Sequence, residues 1–490
     1  MNNLNFLVDV LKESPVFKTL EKNVKPGRTV CASGLSTINK SNIIYALCRL
    51  KGVTAFCLAS DEKEAQTLCN DLSCMGLRAY VYPVRDFNFL DFQSRSHEYE
   101  HARLKVLLKL LNHECDVAIA CVDAAAQLTV PKNVLEQSVI EFEEGRELSL
   151  EKATKALTLL GYERFDAVEG SGQFSLRGGI LDFFMPDSDY PVRCEFWGDE
   201  ITDLSYFDIE TQRRFKKADK ITLSPSTEIV IEDRAALADK IEHKAKLLRS
   251  KNSAKAKEKL FSEAELIRSG AMIANADKFI NQIYDKPESL FDYLDRNTLV
   301  FASEFTAIQE RGKSMDFISN ETLMQGFEDG TLCRGFDRFA LTFNECTEFL
   351  QSHGTIVLEN FVHGSMPIKL SEIISFSTKQ LSAWGGSYKQ LKEDVDGLFT
   401  PESKGVIFAG TERAAKNLCD TFNADGINAV YSEGADKISK GELLVMQGAL
   451  SAGFEYPSQK FFVNNLQPGF VTVPKRTKRK KKKNGTRKFN

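Results

Sequence analysis

Two hydrophobic patterns alternate along the chain. Short, largely apolar runs such as Val53–Leu58, Val117–Val122 and Glu442–Met446 have the length of strands buried on both faces. Between such runs lie stretches of helical period. One helix begins at Ser14-Pro15, with a serine cap and proline in the first turn. Another follows the strand Arg28–Ala32 and runs through Leu50, and a third covers Asp61–Cys74, with Ser60 as its predicted cap. Val53–Leu58, Asp61–Cys74 and Leu77–Tyr82 therefore make a β-α-β unit, and the unit recurs within Lys404–Tyr431. Glu62, Ala65, Leu68, Cys69, Gly76 and Ala79 have identical partners 350 positions later, at Glu412, Ala415, Leu418, Cys419, Gly426 and Ala429. Both units predict α/β lobes with mainly parallel sheets.

From about Glu136 to Thr222 the period shortens to two. A helix over Leu148–Leu160 leads into Gln173–Arg177, a Gly178-Gly179 bend, and Ile180–Phe184. Val192–Trp197 and Glu200–Phe207 flank Gly198-Asp199, a hairpin turn by composition. Alternation points Val192, Cys194 and Phe196 one way and Arg193, Glu195 and Trp197 the other. Gln173, Ser175 and Arg177 form the polar face of their own strand. A tryptophan in line with an arginine is either a half-buried packing residue or a docking patch, since both types are enriched at interface hot spots. Ile229–Lys278 reads as one long helical stretch whose lysines form a solvated face, and Thr298–Phe301 and Thr355–Leu358 read as strands that complete the first lobe. The expected organisation is an α/β multidomain chain: a lobe over 1–132, an inserted small β-rich domain over 133–222, the helix-rich remainder of the lobe over 223–366, a small α/β domain over 367–467 and a basic tail over 468–490.

The 490 residues suffice for several well-developed cores, and 42% apolar with 27% charged residues is ordinary for a globular protein. Eleven cysteines without a C-x-x-C pair read as reduced core residues of a cytoplasmic protein. The N-terminus lacks the pattern of a signal peptide, and no apolar run approaches membrane-spanning length. The net charge is −4, yet ten cations and no acid fall in Lys475–Lys488, which leaves about −14 for the rest. Any nucleic-acid contact is therefore expected in the tail, at Lys478, Arg479, Lys480, Lys481, Lys482 and Lys483, and not on the acidic body. The six histidines show no metal-ligand spacing with cysteines or acids, so no metal is assigned.

One motif bears on catalysis. Gly34 to Ser41 has the spacing G-x-x-x-x-G-K-[ST] of a phosphate-binding loop, but Asn39 stands where the second glycine belongs. Glycines let backbone N–H groups wrap the phosphates, and an asparagine side chain would crowd them. Lys40 and Ser41 are retained, while the strand ending at Asp123 has no adjacent glutamate to orient a hydrolytic water. This is a degenerate nucleotide loop, and no ATPase activity, catalytic residue or bound cofactor is expected of the chain.

The residues GQFSLRGGILDFF, PVRCEFWGDEI and FDIETQRR, within Gly170–Arg214, resemble the segment shared by bacterial transcription-repair coupling factors and the excision-repair subunit UvrB. In that family the segment docks UvrA. The resemblance implies an exposed UvrA-binding surface at Arg177, Arg193 and Trp197, where the family usually has Phe at the last position. It also implies a degenerate P-loop, RecA-like lobe, and a small following domain of unknown role. RNA polymerase and DNA would be engaged through domains outside this chain, and ATP and Mg would belong to the motor domains of the full-length family. The alternative is a UvrB-type ATP-dependent helicase that verifies damage. Against it, the connection after Tyr82 carries Phe87, Phe89 and Phe92 but is too short for the tyrosine-rich DNA-inserting hairpin of UvrB.

Overall fold

The computed structural model describes residues 4–85, 97–138, 140–249, 253–270, 276–362, 366–385 and 387–465. Two compact units divide the chain: Leu7–Ser377, and Thr378–Asn490 together with Met1–Phe6. Among the described residues no helix is long and apolar enough to cross a membrane.

In the first unit the chain lays down β1 (Val30–Ser33), β2 (Ala55–Ala59), β3 (Ala79–Tyr82) and β4 (Val117–Cys121). The β domain follows, with β5 (Ile140–Glu143), β6 (Glu163–Arg164), β7 (Gln173–Arg177), β8 (Ile180–Phe183), β9 (Val192–Trp197), β10 (Glu200–Phe207), β11 (Arg214–Lys217) and β12 (Lys220–Leu223). The lobe is then completed by β13 (Leu299–Ser303), β14 (Thr355–Leu358) and β15 (Glu372–Ser375). The lobe sheet runs β15-β1-β14-β13-β2-β4-β3, every neighbour parallel. Helices cover it, so β1, β2, β4 and β14 are buried at every position, which is why they read as unbroken apolar runs. Because β15 pairs with β1, the first unit extends past the expected boundary at 366. Helix Pro15–Asn23 starts as predicted, Ser14 accepting from the Phe17 N–H. At the next β-α-β unit Asp61, not Ser60, is the cap: it accepts from the Glu64 N–H, and Ser60 instead donates to the Glu64 carboxylate. Among its described residues, the long helical stretch expected over Ile229–Lys278 has the helices Arg234–Leu247 and Ser253–Arg268, whose apolar faces share a small core with Phe279 and Phe336.

The β domain is an up-and-down sheet in the order β11-β10-β9-β8-β7-β6, antiparallel except for β6 beside β7. Helix Leu150–Leu159 packs Ala153 and Leu157 against its inner face, with Phe174, Phe183, Val192 and Cys194. This cluster is separate from the core of the lobe. What joins them includes a polar seam along helix Glu98–Leu111: His101 shares a hydrogen bond with Ser226 (3.1 Å), Lys105 pairs with Asp189 (3.0 Å), and Glu100 accepts from Thr227 (2.8 Å).

The second unit has a six-stranded sheet of β16 (Lys379–Leu381), β17 (Lys404–Phe408), β18 (Ala429–Ser432), β19 (Glu442–Met446), β20 (Gly453–Tyr456) and β21 (Phe461–Asn465), in the order β16-β20-β21-β17-β19-β18. The sequence repeat has a structural counterpart. β2, β4 and β3 are neighbours in that order in one unit, as β17, β19 and β18 are in the other. In each, the repeated cysteine donates its S–H to the alanine carbonyl ten residues on, Cys69 to Ala79 and Cys419 to Ala429.

Candidate functional site

The outer face of the β-domain sheet is built by alternation. Along β9, Val192, Cys194 and Phe196 are buried, Arg193 and Glu195 half-buried, and Trp197 exposed. Gly178-Gly179 forms the two-residue turn between β7 and β8, where a Cβ on Gly179 would press on the Phe196 carbonyl. Gly198-Asp199 joins β9 to β10, with Gly198 at φ 64° and Trp197 directly opposite Glu200. The indole therefore stands at a hairpin tip, 82% exposed. That is far beyond the half-buried packing reading of this residue.

The two arginines share a partner that the sequence reading passed over. Asp182 lies opposite Arg193 on β8 and is only 1% exposed. Its Oδ1 accepts from Arg193 Nε at 2.7 Å, and its Oδ2 accepts from Arg193 at 2.8 Å and from Arg177 at 2.7 Å. Arg193 also donates to the Gln212 carbonyl and side-chain oxygens, both at 3.2 Å, and its guanidinium lies over the Phe207 ring at 4.4 Å. The hydrogen bond to Asp182 raises the Arg193 pKa, with burial working the other way. Arg177, Arg193 and Trp197 thus share one face, but Arg193 does not have the exposure expected of it. Its side chain is 13% exposed, against 50% for Arg177. Ser175, expected on a polar face, is buried beside Asp182. Two residues before Trp197 on β9, Glu195 pairs with Arg214 from β11, which also pairs with Asp203 (2.8 Å). An acid inside the apolar run of β8 was the signal that could have found Asp182. Arg214 and Gln212 carry no such signal.

The loop after β1 has the other candidate residues. Gly34 takes φ 78°, and a Cβ there would collide with the Phe376 carbonyl that follows β15. The N–H groups of Gly34 and Leu35 donate to the carbonyls of Asn360 and Glu359, each at 3.1 Å. Helix Thr37–Lys51 then buries Asn39, Lys40 and Ser41. Asn39 accepts from Ser36 (2.7 Å), and its amide nitrogen has no partner among the described residues. Lys40 Nζ donates to Glu304 (2.6 Å), Ser303 (2.9 Å) and Glu64 (3.3 Å). Ser41 donates to Asp71 (3.3 Å). At the end of β4, Asp123 accepts two hydrogen bonds from Arg311, at 2.9 and 2.8 Å. Glu359 stands behind this cluster: burial, then the charge of Glu304, raise its carboxyl to about 7, against the pull of the Phe305 N–H it accepts. The Lys40 ammonium and the Gly34 and Leu35 N–H groups are thus committed to protein oxygens. The expected tail contacts Lys478, Arg479 and Lys480–Lys483, and Phe87, Phe89 and Phe92, lie outside the described residues.

Residues 140–229 match the family model of the UvrB interaction domain. The chain is 26% identical over 486 residues to a transcription-repair-coupling factor of Bacillus subtilis, a match covering 96% of this chain and 41% of the relative. It is 25% identical over 423 residues to one of Staphylococcus epidermidis, with 82% and 35% covered, and 22% identical over 490 residues to one of Staphylococcus aureus, with 98% and 41% covered. It spans about two fifths of the length of the curated relatives it matches.

Proposed function

We propose that this chain, which resembles the N-terminal region of transcription-repair coupling factors along nearly its whole length, recruits UvrA to stalled transcription complexes through the outer face of its β domain. A role in transcription-repair coupling is supported by the relatives and by the UvrB interaction domain match. The observation that carries the docking reading is Trp197. It lies within the matched residues and puts a large apolar side chain into water at a hairpin tip. Exposed tryptophan beside arginine is the composition of an interface anchor.

On this proposal the module works by binding and not by catalysis. The loop Gly34–Ser41 is a nucleotide site that has exchanged its ligand for internal partners, Glu304 and Glu64 on Lys40 and Arg311 on Asp123. That exchange disfavours the UvrB-type helicase alternative. Polymerase binding, translocation and their ATP and Mg belong to the parts of the relatives beyond the match, the working place is the cytoplasm, and the tail supplies only weak, sequence-independent DNA contact.

Titration of purified UvrA against the chain and its Trp197→Ala variant tests the docking reading. The variant should lose at least about thirty-fold in affinity, the scale of about 2 kcal/mol for a central anchor, with a melting temperature within a few degrees of the parent. Equal binding by the two proteins would move the docking site elsewhere.

A further inference from the structure

The long helix Phe305–Asp329 is held to the lobe at its ends and stands free in its middle. Phe305, Ile308, Gly312 and Gly326 are buried, and a Cβ on Gly312 or Gly326 would collide with Phe343 or Leu332. Met315, Leu323 and Phe327 rest half-buried on the lobe core. Between those anchors every residue from Phe317 to Thr322 is exposed. Phe317 is 66% exposed, Ile318 62% and Met324 58%, an apolar patch on a single helix. At 3.6 residues per turn, Lys313, Phe317, Glu321, Met324 and Glu328 fall in one stripe about 80° wide, opposite the two buried glycines, with Ile318 at its margin. Among the described residues, none of Lys313, Glu321 and Glu328 has an ion-pair partner.

The stripe is complementary to itself. About the midpoint between Asn320 and Glu321, Lys313 is the counterpart of Glu328, and Phe317 is the counterpart of Met324. We propose that this helix is a self-association surface on which a second copy of the chain lies antiparallel, Phe317 against the partner's Met324 and Lys313 against the partner's Glu328, each contact made twice. Charge selects the occupant and its direction. A parallel pair would set Lys313, Glu321 and Glu328 each against its own kind, whereas the antiparallel pair turns the first and last into opposite-charge contacts and opposes the helix dipoles. Its one like-charge contact is between the two Glu321 side chains at the two-fold axis. Glu310, a turn before Lys313 on the same stripe, falls level with the segment past the partner's helix end at Gly330. Lys313 and Glu328 are roughly 22 Å apart along the helix, too far to pair within one copy. A contact of about four turns buries well under the roughly 1,200 Å² of a standard interface, so the dimer is weak, with a dissociation constant of about 0.1 mM.

The experiment is sedimentation velocity of the full chain at concentrations from about 5 to 500 µM in low salt, with thermal melts in parallel. The parent should pass from monomer toward dimer across this range. Phe317→Ala, Lys313→Glu and Glu328→Lys should each weaken association about ten-fold or more. All three side chains are exposed, so melting temperatures should stay within a few degrees of the parent. An equimolar mixture of the Lys313→Glu and Glu328→Lys variants should recover the parent's association, because both charged contacts of the mixed pair are again between opposite signs. Glu321→Gln, which removes the like-charge contact at the two-fold axis, should tighten the dimer. A parent and a Glu321→Gln variant that both stay monomeric at the highest concentration would overturn the proposal. Association undiminished by Phe317→Ala would overturn it too, by placing the contact on another surface. Failure of the mixture to recover, with both variants well folded, would overturn the antiparallel pairing and the proposal with it.

Discussion

Behind β1, Lys40 is buried among Glu304, Glu64 and Ser303, every partner drawn from its own chain. On the β domain, Arg177 leans on one carboxylate and leaves half its side chain in water, on the same face as an exposed indole. Both places join cations to buried or half-buried acids, and both were candidates from the sequence. They differ in who completes the coordination. In the loop, Glu64 from the helix after β2 and Ser303 and Glu304 from the end of β13 close the circle. On the face, the circle is left open to water. A cation at a motif position is therefore no guide to ligand binding until its internal partners have been counted.

The comparison can be broken first at the closed end. Lys40→Met removes the cation from Glu304, Glu64 and the neighbouring Glu359, and breaking a buried pair this way typically costs about 3 kcal/mol or more. Urea unfolding should show that loss, and ATP should stabilise neither protein. Stabilisation of the parent by ATP, lost in the variant, would reopen the loop as a ligand site. At the open end Trp197→Ala should do the reverse, with a loss of about 2 kcal/mol in UvrA binding and little in folding.

A smaller effect comes from Glu359. Its carboxyl is raised from 4.5 to about 7 in the folded protein. Between those values the folded state holds a proton that the unfolded state has released, so stability falls as pH rises through this window, by up to about 1.4 kcal/mol per unit. Below the window the group is protonated in both states, and above it ionised in both. Glu359→Gln should remove this part of the slope, and the difference between variant and parent unfolding curves from pH 4.5 to 7 measures it. An unchanged slope would mean that Glu359 stays ionised. Least of all should the fold feel removal of Lys475–Lys488: melting stays put, while weak DNA affinity and its salt dependence, about 0.9 log unit per phosphate contact, are lost. Undiminished DNA binding by the shortened chain would place the contact on the body.

What was legible in the sequence was whatever depends on near neighbours. The Ser14 cap, the Gly198-Asp199 hairpin and the alternation along β9 are set within a few residues, and the structure has all three. What was missed depends on distance along the chain. Glu304 reaches Lys40 from 264 residues away, β15 joins β1 from more than 300, and Gln212 meets Arg193 across a strand and a turn. Arg193 was placed on the correct face, but its exposure was set by Asp182 and Phe207, which period-two reasoning cannot see. The Ser60 cap failed for a local reason: two capable residues stood side by side, and Asp61 took the role.

The polar seam along helix Glu98–Leu111 has a consequence in time and not only in space. The β domain keeps its own buried cluster, and His101, Lys105 and Glu100 meet it through hydrogen bonds and an ion pair. Units with separate cores open separately, so amide exchange on β9 should follow a local opening of the β domain, slower or faster than that of the lobe strands but not tied to it. A partner clasping Trp197 would then slow exchange in β8 to β10 while the parallel strands of the lobe kept their own clock.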